Sequence, residues 1–309
     1  MNKKSKIYVA GHAGLVGGAI FGLLKKQGYK DVIGKTHKEL DLGDEGAVQK
    51  FFKKEKPEYV FLCAAKVGGI MANKTQPADF LFQNVRIQNN IIDSAYKNSV
   101  KKLLFMGSAC IYPRLCPQPI KEEYLMTGHL EPTNEPYAIA KIAGISMCQS
   151  YNKQYGTDFI SVMPSNVYGP GDHFDPERSH VIPGLITKFS KAKENGEDVT
   201  LWGTGSSQRE FIHCDDIASA SLFLMNNYSG NVIVNIGTGE EISIKDLSEK
   251  IRDAVGFKGK IVWDTSKPDG MPRRILDVSK LHSLGWKHSI GLDRGLKETV
   301  VWYKKNYEI

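Results

Sequence analysis

The stretch Lys6–Gly17, KIYVAGHAGLVG, runs a short β-branched and aromatic segment into three glycines at Gly11, Gly14 and Gly17. Helical apolar spacing follows over Leu15–Gln27. A strand that ends in glycine and reopens as a helix makes a tight turn. It also leaves the first N–H groups of the helix unpaired and partly positive, facing whatever sits above the turn. A pyrophosphate suits that position. The spacing predicts the first βα unit of a parallel, nucleotide-binding sheet.

Reading outward, the pattern repeats. Strands are predicted over Asp31–Gly34, Tyr59–Cys63, Lys102–Met106 and Phe159–Met163. Helices are predicted over Ala47–Lys54, Ala78–Lys97 and Tyr137–Tyr155. Strands interleaved with helices of this length predict an α/β fold, a doubly wound parallel sheet of Rossmann type covered on both faces. After Pro164 the pattern loosens. Pro170, Gly171, Pro176, Pro183 and Gly184 punctuate it, and turns are expected at Gly203–Gly205, Gly237–Gly239 and Pro268–Gly270. This second half reads as short elements forming a smaller part packed on the first.

The composition excludes several classes. No stretch approaches the roughly 18 apolar residues of a membrane span. The N-terminus enters a strand directly, without a signal segment, so a cytoplasmic location is expected. Five cysteines, Cys63, Cys110, Cys116, Cys148 and Cys214, are an odd number without metal-ligand spacing and read as free thiols. No metal site is expected. The net charge of +7 comes from lysine pairs scattered among acids, which predicts solvated helix ends rather than a nucleic-acid surface. A milder inference is that the substrate is a polyanionic small molecule.

Pro136-Tyr137-Ala-Ile-Ala-Lys141 places a phenol and an ammonium on one helix face, four residues apart. A cation beside a phenol lowers its pKa, which equips Tyr137 to exchange a proton with a carbonyl or alcohol oxygen. Ser108, at the end of a predicted strand, can hydrogen-bond the same oxygen. At the end of the second strand Gly34-Lys35-Thr36-His37-Lys38 offers cations where an acid would grip a ribose diol. These cations either meet a 2′-phosphate, making the cofactor NADP, or solvate the loop.

With these residues in place the chain resembles the extended short-chain dehydrogenase/reductase superfamily. Within it, AAKVGGI (64–70), GSACIYP (107–113), LEPTNEPYAIAKIAG (130–144), SHVIP (179–183), REFIHCDD (209–216) and SKPDG (266–270) resemble the GDP-L-fucose synthase family over nearly the whole chain. The resemblance implies a Rossmann domain over 1–167 plus about 206–238, and a GDP-sugar-binding mixed α/β domain over 168–205 and 239–309. It implies NADPH held by Gly11, His12, Ala13, Gly14, Leu15, Val16 and Gly17, by Lys35, His37, Asp41 and Leu42, and by Ala64 and Ala65. Met106, Gly107, Ser108, Tyr137, Lys141, Pro164, Ser165, Asn166, Val167 and His180 complete that set. Lys188, Trp202, Arg209, Lys267 and Asp269 are implied for the GDP-sugar. A homodimer through the two long helices is also implied.

The implied reaction starts from GDP-4-keto-6-deoxy-D-mannose, inverts carbons 3 and 5, and reduces the 4-ketone to give GDP-L-fucose. The ketone acidifies its flanking C–H bonds. Inversion then needs a base on one face and an acid on the other. By resemblance Cys110 is the base and His180 the acid, while Ser108, Tyr137 and Lys141 serve the reduction. Two departures stand out. Ala13 and His37 occupy positions where family members often carry arginines for a 2′-phosphate, and Ala109 stands where a second serine is common. The alternatives are a C4 reductase, with or without epimerisation, on a related 4-keto GDP-sugar such as a heptose, and a non-enzymatic NADP sensor.

Overall fold

The computed structural model describes residues 1–175, 179–267 and 269–307. Pro176 and Pro268, read above as loop and turn punctuation, lie outside the described residues. The first half runs β1 (Lys6–Ala10), α1 (Leu15–Lys26), β2 (Asp31–Ile33), α2 (Glu45–Glu55), β3 (Tyr59–Leu62), α3 (Ile70–Thr75), α4 (Pro77–Lys97), β4 (Lys102–Met106), α5 (Glu135–Tyr155) and β5 (Phe159–Pro164). Then come β6 (Asn166–Tyr168), α6 (Val181–Asn195), β7 (Val199–Trp202), β8 (Gln208–Arg209), β9 (Phe211–His213), α7 (Cys214–Asn227) and β10 (Val234–Ile236). The chain closes with β11 (Ile242–Ser243), α8 (Ile244–Val255), β12 (Ile261–Asp264), β13 (Arg273–Arg274), α9 (Ser279–Ser283) and α10 (Leu292–Tyr307).

Among the described residues the main sheet has six strands in the order β2-β1-β3-β4-β5-β10. Every pairing in it is parallel. Alternation along β1 builds both faces at once. Ile7 and Val9 pack with Ile20 and Leu24 of α1 and Ile217 of α7. Tyr8 and Ala10 pack with Phe51 and Phe52 of α2, Ile91 of α4 and Ile145 of α5. The sheet is thus doubly wound and of Rossmann type, as the βα alternation predicts. The strand order reverses between β2 and β3 on either side of β1, so a crevice opens beyond the carboxyl ends of β1 and β3.

The second half departs from the expectation of short elements. It contains helices of 15, 14 and 16 residues, α6, α7 and α10. Pro183 and Gly184, read as loop punctuation, lie in the first turn of α6, where proline is tolerated because its missing N–H has no intrahelical partner. Helix α7 is rich in small residues and buried on most sides, so it lacks the polar stripe that marks a surface helix. The sixth strand, β10, was too short to stand out, and so was α3. A third apolar cluster joins Ile186 and Phe189 of α6, Leu247 and Ile251 of α8, and Leu296 and Val300 of α10.

Two buried polar side chains tie this second half to the sheet ends. Glu210, 1% exposed, accepts from the backbone N–H of Thr238 (2.6 Å), Gly239 (2.9 Å) and Leu276 (2.9 Å). Asn235, fully buried on β10, accepts from the Tyr112 hydroxyl at 2.6 Å and donates to the carbonyls of Ile120 and Asp277. Replacing Asn235 by Ala strands one hydroxyl and two carbonyls away from water. We expect Asn235→Ala to lose about 2–4 kcal/mol of unfolding free energy, read as a lower urea midpoint at unchanged slope; a loss under ~0.5 kcal/mol contradicts this clamp.

Candidate active site

The glycine turn is explained partly from within. Gly11 has φ +86°, and a Cβ on it would sit 2.7 Å from the Ala64 backbone nitrogen. A Cβ on Gly17 would lie 2.2 Å from the Gly11 carbonyl oxygen. These two glycines let β1, β3 and α1 approach one another. Gly14 is different: its φ is −89°, and a Cβ there would meet only the Gly11 oxygen, at 3.5 Å. The protein's own atoms do not demand glycine at 14, and the absent side chain leaves the α1 N-terminus open to an anion. Ala13 and Gly14 are exposed, Leu15 and Val16 begin the helix, and the first turn carries no acid. His12 stacks beside Phe21 with its ring under Gly34, and its Nδ1 is buried without a partner.

Two of the basic side chains after β2, Lys35 and His37, lie beside carboxylates. Lys35 pairs with Glu39 at 3.3 Å, and His37 Nδ1 lies 3.7 Å from Asp41 Oδ1. Glu39 also accepts from the Thr36 N–H and hydroxyl, both at 2.8 Å. Those bonds hold its carboxyl down at about 2. The sequence showed cations without a carboxylate here; the turn folds Glu39 back and supplies one. Leu42 packs at the edge of the sheet core, and its carbonyl accepts from Asn90.

Beyond β3, Asn84 pins the next loop. Its amide accepts from Lys66 N and donates to the carbonyls of Lys66 and Phe80, which fixes the segment holding Ala64 and Ala65. At the end of β5, Ser165 N bonds to the Ile236 carbonyl and Asn166 Nδ2 to the Glu210 carbonyl, so Pro164–Val167 turns across the sheet end.

The densest chemistry lies beyond β4. Met106 and Gly107 are buried, and a 3₁₀ turn follows over Ala109–Ile111. Ser108 Oγ accepts from Cys110 N at 3.2 Å. Arg274 of β13 donates to the carbonyls of Ala109 and Tyr112, gripping this turn from the other half of the chain. Asn134 Nδ2 reaches Cys110 Sγ at 3.2 Å. Cys110 and Ser108 are both half-buried beside the Tyr137 phenol. Cys116 sits lower in the same loop, its thiol pushed up by burial. Cys63, Cys148 and Cys214 are more deeply shielded, and burial pushes the first two up to about 12.

The Tyr–Lys pair differs from its sequence reading. Lys141 does not acidify the phenol. Its Nζ donates to the Met106 carbonyl at 2.7 Å and lies 5.8 Å from the Tyr137 ring centre. Burial pushes Lys141 down to about 8 and raises Tyr137 well above its ordinary value. Desolvation outweighs the cation. A neutral phenol is the form that can give a proton to an oxygen gaining negative charge.

His180 sits at the N-cap of α6, and desolvation lowers its pKa. No hydrogen bond or ion pair joins it to Cys110 among the described residues. Arg209 is half-buried, with its pKa lowered by burial and then by Arg274, and it donates to the Gln208 carbonyl. Two guanidinium groups held together suit a polyanion. Lys188 Nζ donates to the Thr200 carbonyl at 2.6 Å, and Trp202 is 71% exposed. Asp269 accepts from Thr204 N and Oγ1, tying the turn after β7 to the exposed segment that carries Lys267. His213, Cys214 and Asp215 lie close enough to hold an ion, but His213 Nδ1 accepts from Asp215 N as a helix cap.

Sequence reasoning gave no role to Asn134, Glu39, Glu210 or Arg274. Only Asn134 carried a signal, the N-cap slot two residues before a proline. Glu210 and Arg274 act across long separations that local pattern does not record, whereas Glu39 bonds within its own turn, to Lys35 and Thr36.

The model of the NAD dependent epimerase/dehydratase family matches residues 7–237. The chain belongs to this family. Within it, the chain is 57% identical to GDP-L-fucose synthase 1 of Arabidopsis thaliana, covering 99% of this chain and 95% of that one. It is 50% identical to GDP-L-fucose synthase of Escherichia coli (strain K12), covering 99% and 98%. A solved GDP-mannoheptose C4 reductase from Campylobacter jejuni with NADP bound is 45% identical, at a TM-score of 0.91 over 98% of this chain and 99% of that one.

The buried Lys141 ammonium sets a pH prediction. Its folded value, about 8, lies below the unfolded value of about 10.4. Below pH 8 both states carry the proton and the burial penalty is complete. Between the two values the unfolded chain binds more protons, so stability rises with pH. In the absence of cofactor we expect Lys141→Met to be more stable than wild type at neutral pH by roughly 2 kcal/mol, after allowing for the lost bond to Met106. Urea titrations should show that margin shrinking as pH climbs from about 8 to about 10; a margin constant with pH contradicts the assignment.

Proposed function

We propose that this chain converts GDP-4-keto-6-deoxy-D-mannose to GDP-L-fucose, epimerising carbons 3 and 5 and reducing the ketone at carbon 4. The observation that carries this reading is the convergence of Ser108, Cys110 and Tyr137 on one point beyond β4. A thiol has no task in plain carbonyl reduction, and a base beside the carbonyl-binding pair is what enolisation needs. The identity to named GDP-L-fucose synthases supports the same substrate.

Ser108 and Tyr137 hold the ketone oxygen and polarise it. Cys110 takes a proton from a flanking carbon, and His180 returns one from the opposite face. Tyr137 then protonates the carbon 4 oxygen, and Lys141 replenishes the phenol. NADPH, when bound, supplies hydride to carbon 4. The residues fit that cofactor: the α1 N-terminus is bare of acids, Gly14 is open, and the His12 Nδ1 is unpartnered. Ala64 and Ala65 would also hold it, and Pro164–Val167 would lie toward its nicotinamide. The paired Lys35 and His37 leave a weak grip on a 2′-phosphate. Segments 168–205 and 239–309 take the GDP-sugar, with Arg209 and Lys188 on the phosphates and Trp202 and Asp269 beside the nucleotide.

A second reading follows from the likeness to the heptose C4 reductase. In it Tyr137 and Lys141 act unchanged while Cys110 is idle. Exposed Leu81 and Phe82 on α4, with Ile139 and Tyr155 on α5, support a homodimer through these helices. No helix among the described residues is long and apolar enough to cross a membrane, which is compatible with a cytoplasmic enzyme.

Mass spectrometry in deuterated water separates the readings. Cys110→Ser should abolish deuterium uptake at carbons 3 and 5 while leaving NADPH affinity unchanged; uptake that survives it removes Cys110 as the base, and wild-type turnover without uptake favours the second reading. Tyr137→Phe should cut NADPH oxidation by about 10²–10⁴-fold and spare cofactor binding, measured by fluorescence titration.

A further inference from the structure

Asn134 occupies the N-cap of α5 and does not cap it. An asparagine in that slot ordinarily turns its side-chain oxygen onto an N–H two or three residues ahead, and forgoing that bond costs about 1 kcal/mol. Here the amide turns the other way. Nδ2 donates to Cys110 Sγ at 3.2 Å, and Oδ1 is buried with no partner. The preceding chain does not explain this. Thr133 is satisfied by Glu131 through its N–H and its hydroxyl, and Asn134 N bonds to the Glu131 carbonyl. An unmade cap and an orphaned oxygen are both accepted for one contact with sulfur.

We propose that Asn134 is a positioning residue for Cys110, its amide N–H aiming and steadying the anionic sulfur. This rests on the reading of Cys110 as the base. In that step the thiolate takes the proton from the carbon beside the ketone, the C–H electron pair becomes the enolate, and sulfur becomes a thiol. Asn134 gives up no atom. A hydrogen bond to an ionised acceptor is shorter and about twice as strong as one to a neutral acceptor, so the amide favours the reactive form of the sulfur and fixes its direction. Ser108 and Arg274 hold the backbone of the same turn, whereas Asn134 acts on Sγ itself.

The test uses Asn134→Ser and Asn134→Asp in a Cys116→Ser background. Both replacements are good helix caps, so α5 keeps or gains stability and a loss is not a folding defect. Serine is too short to reach the sulfur, and aspartate sets a negative charge against it. The first readout needs no sugar: alkylation of Cys110 by iodoacetamide at neutral pH, followed by peptide mass. The rate should fall about tenfold for serine and further for aspartate, at an unchanged or higher melting temperature. Deuterium uptake into GDP-4-keto-6-deoxy-D-mannose should fall in the same order at constant NADPH affinity. Alkylation of the aspartate variant at the wild-type rate overturns the proposal. Alkylation in the expected order with no uptake by wild type keeps the Asn134–Cys110 assignment and overturns the epimerase reading instead.

Discussion

The Lys141 ammonium on the Met106 carbonyl is the bond on which the site depends. Met106 is the last residue of β4, and its carbonyl accepts from Lys141 of α5. That bond locks a helix to the end of a strand. Tyr137, one turn earlier on that helix, is carried to Ser108, and Asn134, at the helix start, is carried to Cys110. The polar groups beyond the strand end are thereby set by a single crossing of α5 over β4. The cost is a buried cation, and the same desolvation keeps the neighbouring phenol protonated.

Around this crossing the second half of the chain acts as a brace. Arg274 grips the carbonyls of the cysteine turn, Asn235 holds the Tyr112 hydroxyl, and Glu210 gathers three backbone N–H groups from two loops. Each bond spans more than 25 residues of sequence. Buried polar networks of this kind have few alternatives once formed, because any other arrangement leaves donors or acceptors dry.

That difference in range explains what the sequence made legible. The sheet could be read because β1 alternates between two cores and the glycine turn has a local signature. The Tyr137–Lys141 spacing and the strand-end Ser108 could be read for the same reason. The length of α6 could not, because Pro183 mimics a loop from inside a first turn. The carboxylate of Glu39 was one residue beyond the window in which a ribose-binding acid was sought. The sign of the Tyr137 shift was missed because spacing says two groups are neighbours and does not say how dry they are.

The third apolar cluster, formed by α6, α8 and α10, has its own interior, separate from the two that flank the sheet. The exposed Trp202 and the Thr204–Asp269 turn stand on this independent foundation. Changes there alter the surface these turns present without disturbing the strand ends, because the two share no packed interior. The chain thus carries two footings, one under the strand ends and one under these surface turns, and a strain in either need not propagate to the other.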